Sequence, residues 1–420
     1  MIFFKNVSWF TQTSILKWTC GKRSCSISSS LKTDLLNNDE GGKSTLYKCR
    51  KYPETMFVHC PDVAEDAARI ICSNLTKSSN GEQLRLIEAN PGPCLISHEI
   101  LKNTNHDMCI YENDSEIFKA FLLELISKYD DRISLNRGNL LLLWKIEFLD
   151  RVDRGNRVSK FLSDIRLPSQ PWQSENIGTR IIAGLPNRKF LNYLIYSFVF
   201  QTSLMTYGRP EFYFFLPPSL FIRYSSDPVT GEKYYKTQTI LFQSFFEIEL
   251  LKTYPRSAFL PPKPTKSSSK KSRFKELKEV DEKSIILARV VGRSDILGKT
   301  GLTEELLKPY WYFVKHHTLS RKNFVIPLME QWIPGCGPHF IAQGLTIFTQ
   351  FGDLTPNQIL KIFLTFVKLP EYKDSPFLNS MEMRIAKLDP SSLSMSENTI
   401  SDHSENKISS TEVEDLIDKD

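Results

Sequence analysis

Leu84-Arg85-Leu86-Ile87-Glu88-Ala89-Asn90-Pro91-Gly92-Pro93-Cys94 is the stretch whose reading decides the fold. An apolar run ends at Ile87, a Pro/Gly turn follows, and a second apolar segment, Leu95 to Leu101, can open a helix. Strand, tight turn and helix start together make a nucleotide-type pocket, because such a turn lets backbone approach a ligand closely. An acid follows about one strand later in Cys109-Ile110-Tyr111-Glu112-Asn113-Asp114. A carboxylate at the end of the next strand suits a ribose diol, since it accepts two hydroxyl hydrogen bonds. An ordinary βα turn fits the same spacing, and spacing alone does not choose.

Working outward, the pattern alternates. Leu84–Ala89, Met108–Tyr111, Leu140–Leu143, Arg180–Ala183 and Glu211–Leu216 read as strands. Between them, Leu95–Lys102, Glu116–Tyr129 and Phe190–Thr206 read as helices, and Pro61 opens another through about Leu75. The apolar runs are continuous rather than alternating, as expected when both sheet faces are buried. This predicts an α/β fold with a parallel, Rossmann-like sheet covered by helices. Gln238–Phe246 reads as a helix running into a strand at Ile248–Thr253, and Ser284–Val291 as a further strand. Between them, residues 261–280 carry seven Lys or Arg against Glu276 and Glu279, a basic loop that can join two antiparallel strands. From Thr303 onward the pattern is helical, over Thr303–Lys308, Trp311–Leu319, Phe340–Phe348 and Thr355–Val367, which predicts a small helical C-terminal domain. Leu354-Thr355-Pro356 supplies an N-cap followed by Pro at the first helical position.

The ends differ in charge. The first 33 residues hold Lys5, Lys17, Lys22, Arg23 and Lys32, many hydroxyl residues and no acid, a composition similar to a mitochondrial transit peptide. A basic tail is the plainer alternative. After Pro390 the chain is Ser-rich, with eight acids against two Lys, and is expected to be disordered or ordered only on a partner. The expected division is 1–50 transit peptide and linker, 55–293 sheet domain, 294–390 helical domain and 391–420 acidic tail. The net charge of +6 permits a nucleic-acid partner without demanding one. The eight cysteines form no CxxC pair and the seven His no HExxH spacing, so free thiols and no metal are expected. No run reaches the 18 or more apolar residues of a membrane span, so no membrane partner is expected.

On these residues the chain resembles the rRNA adenine dimethyltransferases, and within them the mitochondrial branch. The likeness runs from about Phe57 to Val291 and more loosely to Leu369. The family's first motif, E-x-G-P-G-x-G-x-L-T, lies on Glu88 to Ser97 without a gap. Glu88, Pro91 and Gly92 match, while Asn90 and Cys94 stand where glycines are usual. The wording Glu-Ala-Asn-Pro-Gly-Pro is similar to a transcription-factor paralogue of that branch. The resemblance implies a class I S-adenosyl-L-methionine-dependent methyltransferase sheet, with Val58, Glu88, Asn90, Gly92 and Glu112 around the cofactor. It also implies an acidic contact to the adenine ring just after Leu140–Leu143, which falls on Ile146 or, after a one-residue shift, on Glu147.

The fourth motif of active members is N-[LI]-P-[YF], whose Asn and aromatic residue orient and stack the flipped adenine. Here it reads Gly184-Leu185-Pro186-Asn187. Glycine has no side-chain acceptor and Asn187 is a poor stacking face, a loss of roughly 2–4 kcal/mol of positioning. The chemistry expected is therefore weak or absent dimethylation on a surviving fold.

What the resemblance then implies is a transcription initiation factor that binds the mitochondrial RNA polymerase and holds single-stranded promoter DNA. Candidate phosphate contacts are Arg188, Lys189, Arg209, Lys270, Lys271, Arg273 and the rest of that loop to Lys278, with Lys315, Arg321 and Lys322. The competing expectation is active dimethylation of two adjacent adenines in mitochondrial small-subunit rRNA. A third is a ribosome assembly protein needing only the fold and the basic surface.

Overall fold

The computed structural model describes residues 55–79, 83–113, 118–185 apart from 164, 166, 168 and 175, 187–261, and 275–386. The basic residues 262–274, the first 54 residues and the acidic tail lie outside the described residues, and so does Pro186.

Five strands run parallel at the centre: β2 (Arg85–Ala89), β3 (Asp107–Glu112), β4 (Ile133–Arg137), β5 (Thr179–Gly184) and β6 (Pro210–Leu216). Two more, β7 (Phe246–Pro255) and β9 (Ser284–Gly292), complete a seven-stranded sheet of order β4-β3-β2-β5-β6-β9-β7, in which β9 is antiparallel to both neighbours. A separate two-stranded pair joins β1 (Phe57–Val58) to β8 (Phe259–Leu260). The chain therefore leaves β2 toward one edge, then returns to build the other half from β5. That reversal between β2 and β5 is a topological switch point, where an open α/β sheet forms its ligand crevice. The expected Rossmann-like sheet is present; β7 and β9, which lie on either side of the basic segment in sequence, pair antiparallel, and the end of that segment, from Lys275, is helix.

Side chains alternate between two cores. Leu86, Ile110, Ile182 and Tyr213 face one, with α1 (Pro61–Ser79), α2 (Leu95–Asn103) and α3 (Lys119–Tyr129). Ile87, Cys109, Ile181, Phe212 and Phe214 face the other. That second face is covered by α4 (Leu143–Asp153), α5 (Arg157–Ser163), α6 (Lys189–Phe200), α7 (Pro218–Ser225) and α8 (Thr237–Phe245), while α9 (Lys275–Asp281) precedes β9. The C-terminal helices α10 (Leu307–His317), α11 (Val325–Trp332), α12 (Gly337–Ile341), α13 (Pro356–Phe366) and α14 (Pro376–Ala386) share this same apolar cluster. At α13 the expected cap is present: Thr355 Oγ accepts from Gln358 N and Gln358 Oε1 accepts from Thr355 N at 2.8 Å.

Three expectations are corrected. Leu140–Leu143 is not a strand but a 3-10 turn entering α4, and the strand at this level is Ile133–Arg137. The helix from Phe190 stops at Phe200, where Gln201 turns left-handed at φ 52°. The helix expected over Phe340–Phe348 ends at Ile341, and Ile347 and Phe348 lie exposed beyond it.

Candidate functional site

The crevice is bounded by the loops after β2, β3, β4 and β5. In the first loop, φ is 55° at Asn90, 59° at Gly92 and 57° at Cys94. All three positions where the family motif carries glycine thus keep the left-handed backbone, two of them with a side chain present. Asn tolerates that region because its short amide bonds locally. Here Asn90 N donates to Tyr111 O at 2.8 Å and Asn90 Nδ2 donates to Asn139 Oδ1 at 2.9 Å. Cys94 has no such local amide; its buried thiol donates to Gly92 O, and burial pushes its pKa well up.

Glu88 is buried beneath the loop and accepts from Ser97 Oγ on α2. Burial, with a smaller contribution from nearby Glu112, pushes its carboxyl up to about 7. Glu112, at the end of β3, is also raised to about 7 by burial, opposed by the N–H groups of Gly92 and Asn113. Its Oε2 is buried and has no hydrogen-bond partner among the described residues. A buried acceptor without a donor is costly unless a ligand supplies one. The end of β4 brings Asn139, whose Oδ1 accepts from both Asn90 Nδ2 and Leu141 N.

These residues fit S-adenosyl-L-methionine. Glu112 Oε2 offers an acceptor to a ribose hydroxyl, the Asn90–Asn139 amides form a polar edge for a purine, and Gly92 leaves backbone open. A ligand held there would supply a methyl group. A cavity of about 260 Å³ lies instead between α1, α2 and α3, lined by residues such as Pro61, Cys94, His98 and Lys128, and neither Glu112 nor Asn139 lines it. It is not the site argued from the carboxylates.

Other candidates are placed elsewhere. Glu147 lies in α4 with its carboxylate accepting from Tyr193 Oη at 2.6 Å and Thr202 Oγ1 at 2.9 Å, and Ile146 lies in the same helix. The polar residue that reaches the crevice from this region is Asn139, which the sequence reading missed. The Gly138-Asn139 pair before an apolar run was its signal, a turn and helix-cap pattern. Val58 is buried in the α1–α3 core, and its neighbour Phe57 faces the loop, since adjacent strand residues point to opposite sides. The Phe57 ring lies so close to Gly92 that a Cβ there would overlap it, and the ring packs on Phe118 with centroids 4.9 Å apart.

At the fourth motif, Gly184 ends β5, Leu185 N donates to Phe215 O at 2.7 Å, and Asn187 Oδ1 accepts from Lys189 N. Asn187 therefore steadies the start of α6 at the position where an aromatic residue would stack. A Cβ on Gly184 would overlap the carbonyl oxygen of Met56. Backbone leading into β1 thus fills the space in which a side chain at position 184 would begin. Arg188 caps α6 and Lys189 begins it, beside the crevice. Arg209 precedes β6 at the opposite end of the sheet and donates to Ser174 O at 3.0 Å, so it does not line the crevice. Arg321 is held by Glu232 and Asp353, whereas Lys322 is exposed and Lys315 lies half-buried over Trp311. Lys270, Lys271 and Arg273 lie outside the described residues.

The chain is 28% identical over 341 residues to "Dimethyladenosine transferase 2, mitochondrial" of Drosophila melanogaster, covering 72% of this chain and 74% of that protein. The chain resembles mitochondrial dimethyladenosine transferase 2. The dimethyladenosine-transferase likeness read from the loop after β2 is thus met again along most of the sequence. No family model matches. Among solved structures, a dimethyladenosine transferase from Plasmodium falciparum has a TM-score of 0.45 at 10% identity, covering 74% of this chain and 98% of that one. A methyltransferase structure from Thermobifida fusca has a TM-score of 0.30 at 12% identity, covering 63% and 92%. At these similarities the fold rests on its own strand order. Among the described residues no group of His, Cys, Asp and Glu is arranged to hold a metal, and no helix is long and apolar enough to cross a membrane. Cys60, Cys72, Cys94, Cys109 and Cys336 are free thiols.

Proposed function

We propose that this chain is a mitochondrial transcription initiation factor built on an rRNA adenine dimethyltransferase scaffold. It assists the mitochondrial RNA polymerase in melting promoter DNA by holding a single strand near the start site. The observation that carries this reading is the Gly184–Met56 contact. A site for a flipped adenine needs an acceptor at that position and room for the base. Here there is neither a side chain nor space for one, while the crevice and its basic margin persist. The wording of the loop after β2 and the mitochondrial relative support placing the chain in the matrix, at the nucleoid. Residues 55–293 act as the methyltransferase-like domain and 294–390 as its helical partner.

The test is runoff transcription with purified polymerase from a mitochondrial promoter, on linear and supercoiled templates, with and without the protein. Dependence on the protein supports the reading, and its absence on both templates ends it.

A second reading, dimethylation of two adjacent rRNA adenines, is favoured by the unpartnered Oε2 of Glu112 and the retained left-handed loop. In that case the strap at Met56 and Phe57 has to move before an adenine enters. Methyl transfer to the small-subunit rRNA hairpin separates the two readings.

A further inference from the structure

Three helices carry cations and aromatics at a spacing of seven residues on faces that meet. On α4 these are Trp144 and Arg151, on α6 Lys189 and Tyr196 with Phe200 one turn on, and on α10 Lys308 and Lys315 flanking Trp311. Seven residues are about two helical turns, so each set lies along one face. The rungs cross between helices. Lys189 Nζ sits over the Trp144 ring at 5.0 Å, and Arg151 over Tyr196 at 4.8 Å with its Nη1 donating to the Tyr196 hydroxyl at 2.7 Å. Tyr196 stacks on Phe200 at 4.2 Å, Phe200 meets Trp311 edge-on at 5.9 Å, Lys308 lies over Phe200 and Lys315 over Trp311.

Arg151, Lys308, Lys315 and, on α14, Arg384 form no ion pair among the described residues. The acids of α4 are engaged elsewhere: Glu147 with Tyr193 and Thr202, Asp150 and Asp153 with Arg157. Burial lowers the pKa of Lys315 and the nearby Arg384 cation lowers it further, the signature of two like charges facing each other. Glu304 and Glu305 precede α10 and Glu382 lies on α14, and none of them pairs with these cations. Lys189 and Lys308 are exposed, and Trp144, Tyr196 and Phe200 are half-buried. The strip starts beside the Gly184 crevice and follows α6 from Lys189 to Phe200, about 16 Å.

We infer that this α4–α6–α10 strip is the track along which an unpaired nucleic-acid strand runs away from the crevice. Its occupant is a single-stranded polyanion: cations spaced along one line of helix surface meet successive phosphates of a flexible strand. The inference rests on the reading that the crevice serves single-stranded nucleic acid.

The experiment is fluorescence anisotropy of the full chain with labelled oligothymidylate and oligouridylate of about 16 nucleotides, as separate arms across a salt series. The triple variant Lys189→Ala/Lys308→Ala/Lys315→Ala is expected to bind roughly tenfold more weakly at low salt and to flatten the salt slope by about 2. Lys102→Ala/Lys361→Ala, on exposed helix faces elsewhere, is the control and is expected to bind as the parent does. Equal loss in both arms assigns the contacts to the shared phosphate backbone, and loss in one arm identifies the strand the track serves. If the parent binds and the triple variant binds equally well with an unchanged slope, the track is wrong while the crevice reading stands. If the parent binds neither oligonucleotide, both fall. Should the triple variant melt at a lower temperature than the parent, the exposed charge reversal Lys308→Glu decides in its place, with the same expected direction.

Discussion

The carbonyl oxygen of Met56 stands where any side chain on Gly184 would begin. Met56 is buried and is followed directly by β1, which is anchored by pairing with β8, so this oxygen is not a mobile side-chain end. A side chain at position 184 and the present course of the strap therefore exclude each other. Restoring the side chain alone does not restore the site. Gly184→Asn is expected to leave methyl transfer to the rRNA hairpin at the parent level and to cost about 1–3 kcal/mol from overpacking. Urea denaturation and a methyl-transfer assay on the same preparation check both halves; a gain in transfer with unchanged stability contradicts the contact.

The left-handed turn at Cys94 gives a second test. An L side chain in that region costs roughly 1–2 kcal/mol, and glycine does not carry the cost. Cys94→Ala keeps the backbone strain and loses the sulfur, while Cys94→Gly loses the side chain and relieves the strain. The glycine variant is expected to be more stable than the alanine variant by about 1 kcal/mol, the reverse of the order inside a helix. Denaturation midpoints of the two variants decide it.

The same loop shows how far the sequence could be read. Its strand, turn and helix followed from apolar runs and Pro/Gly punctuation, because β2 is buried on both faces and reads as continuous. Glu88 and Glu112 fell at strand ends for the same reason. β4 was hidden because Ile-Ser-Leu-Asn-Arg lies at the sheet edge, half-exposed, so its apolar residues alternate. The stronger apolar run next to it, Leu140 to Leu143, is a helix start buried against the core, and periodicity over four residues does not separate the two. The residue this segment brings beside Asn90 is accordingly Asn139, while Ile146 and Glu147 lie in α4. The Met56–Gly184 and Phe57–Gly92 contacts join segments 128 and 35 residues apart. No local pattern encodes them, and a missing side chain in the sequence does not say what fills its place.

Glu211 makes a third test, in the sheet rather than the crevice. Its carboxylate is fully buried between Arg180 at 3.2 Å and Arg289 at 2.6 Å, with the Tyr213 hydroxyl donating at 3.1 Å. Removing one member leaves buried positive charge uncompensated, at a cost of about 3–5 kcal/mol. Glu211→Ala is expected to lose that much, and Glu211→Gln somewhat less, because an amide oxygen still accepts from one guanidinium. Equilibrium unfolding of both variants, read beside the triple variant Arg180→Met/Arg289→Met/Glu211→Leu, separates the unpaired charge from lost packing: the triple variant, which leaves no buried charge, is expected to recover much of the loss.

The two carboxyls of the crevice set a pH dependence whose direction is fixed. Glu88 and Glu112 both sit near 7 when folded, against an ordinary value of 4.5. Between about pH 4.5 and 7 the folded chain holds protons that the unfolded chain has released, so the stability these groups contribute falls as pH rises through that window. Glu88→Gln keeps an acceptor for Ser97 Oγ but removes the titrating group. Relative to the parent it is expected to gain on the order of 2 kcal/mol between pH 5 and pH 8. Cofactor affinity runs the other way, because the ionised Glu112 is the better acceptor for ribose hydroxyls. Calorimetry with S-adenosyl-L-methionine is expected to show tighter binding at pH 8 than at pH 6, with proton release at the lower pH, and Glu112→Gln is expected to abolish the difference. A Glu112→Gln variant that binds with the parent's pH profile removes this carboxylate from the site.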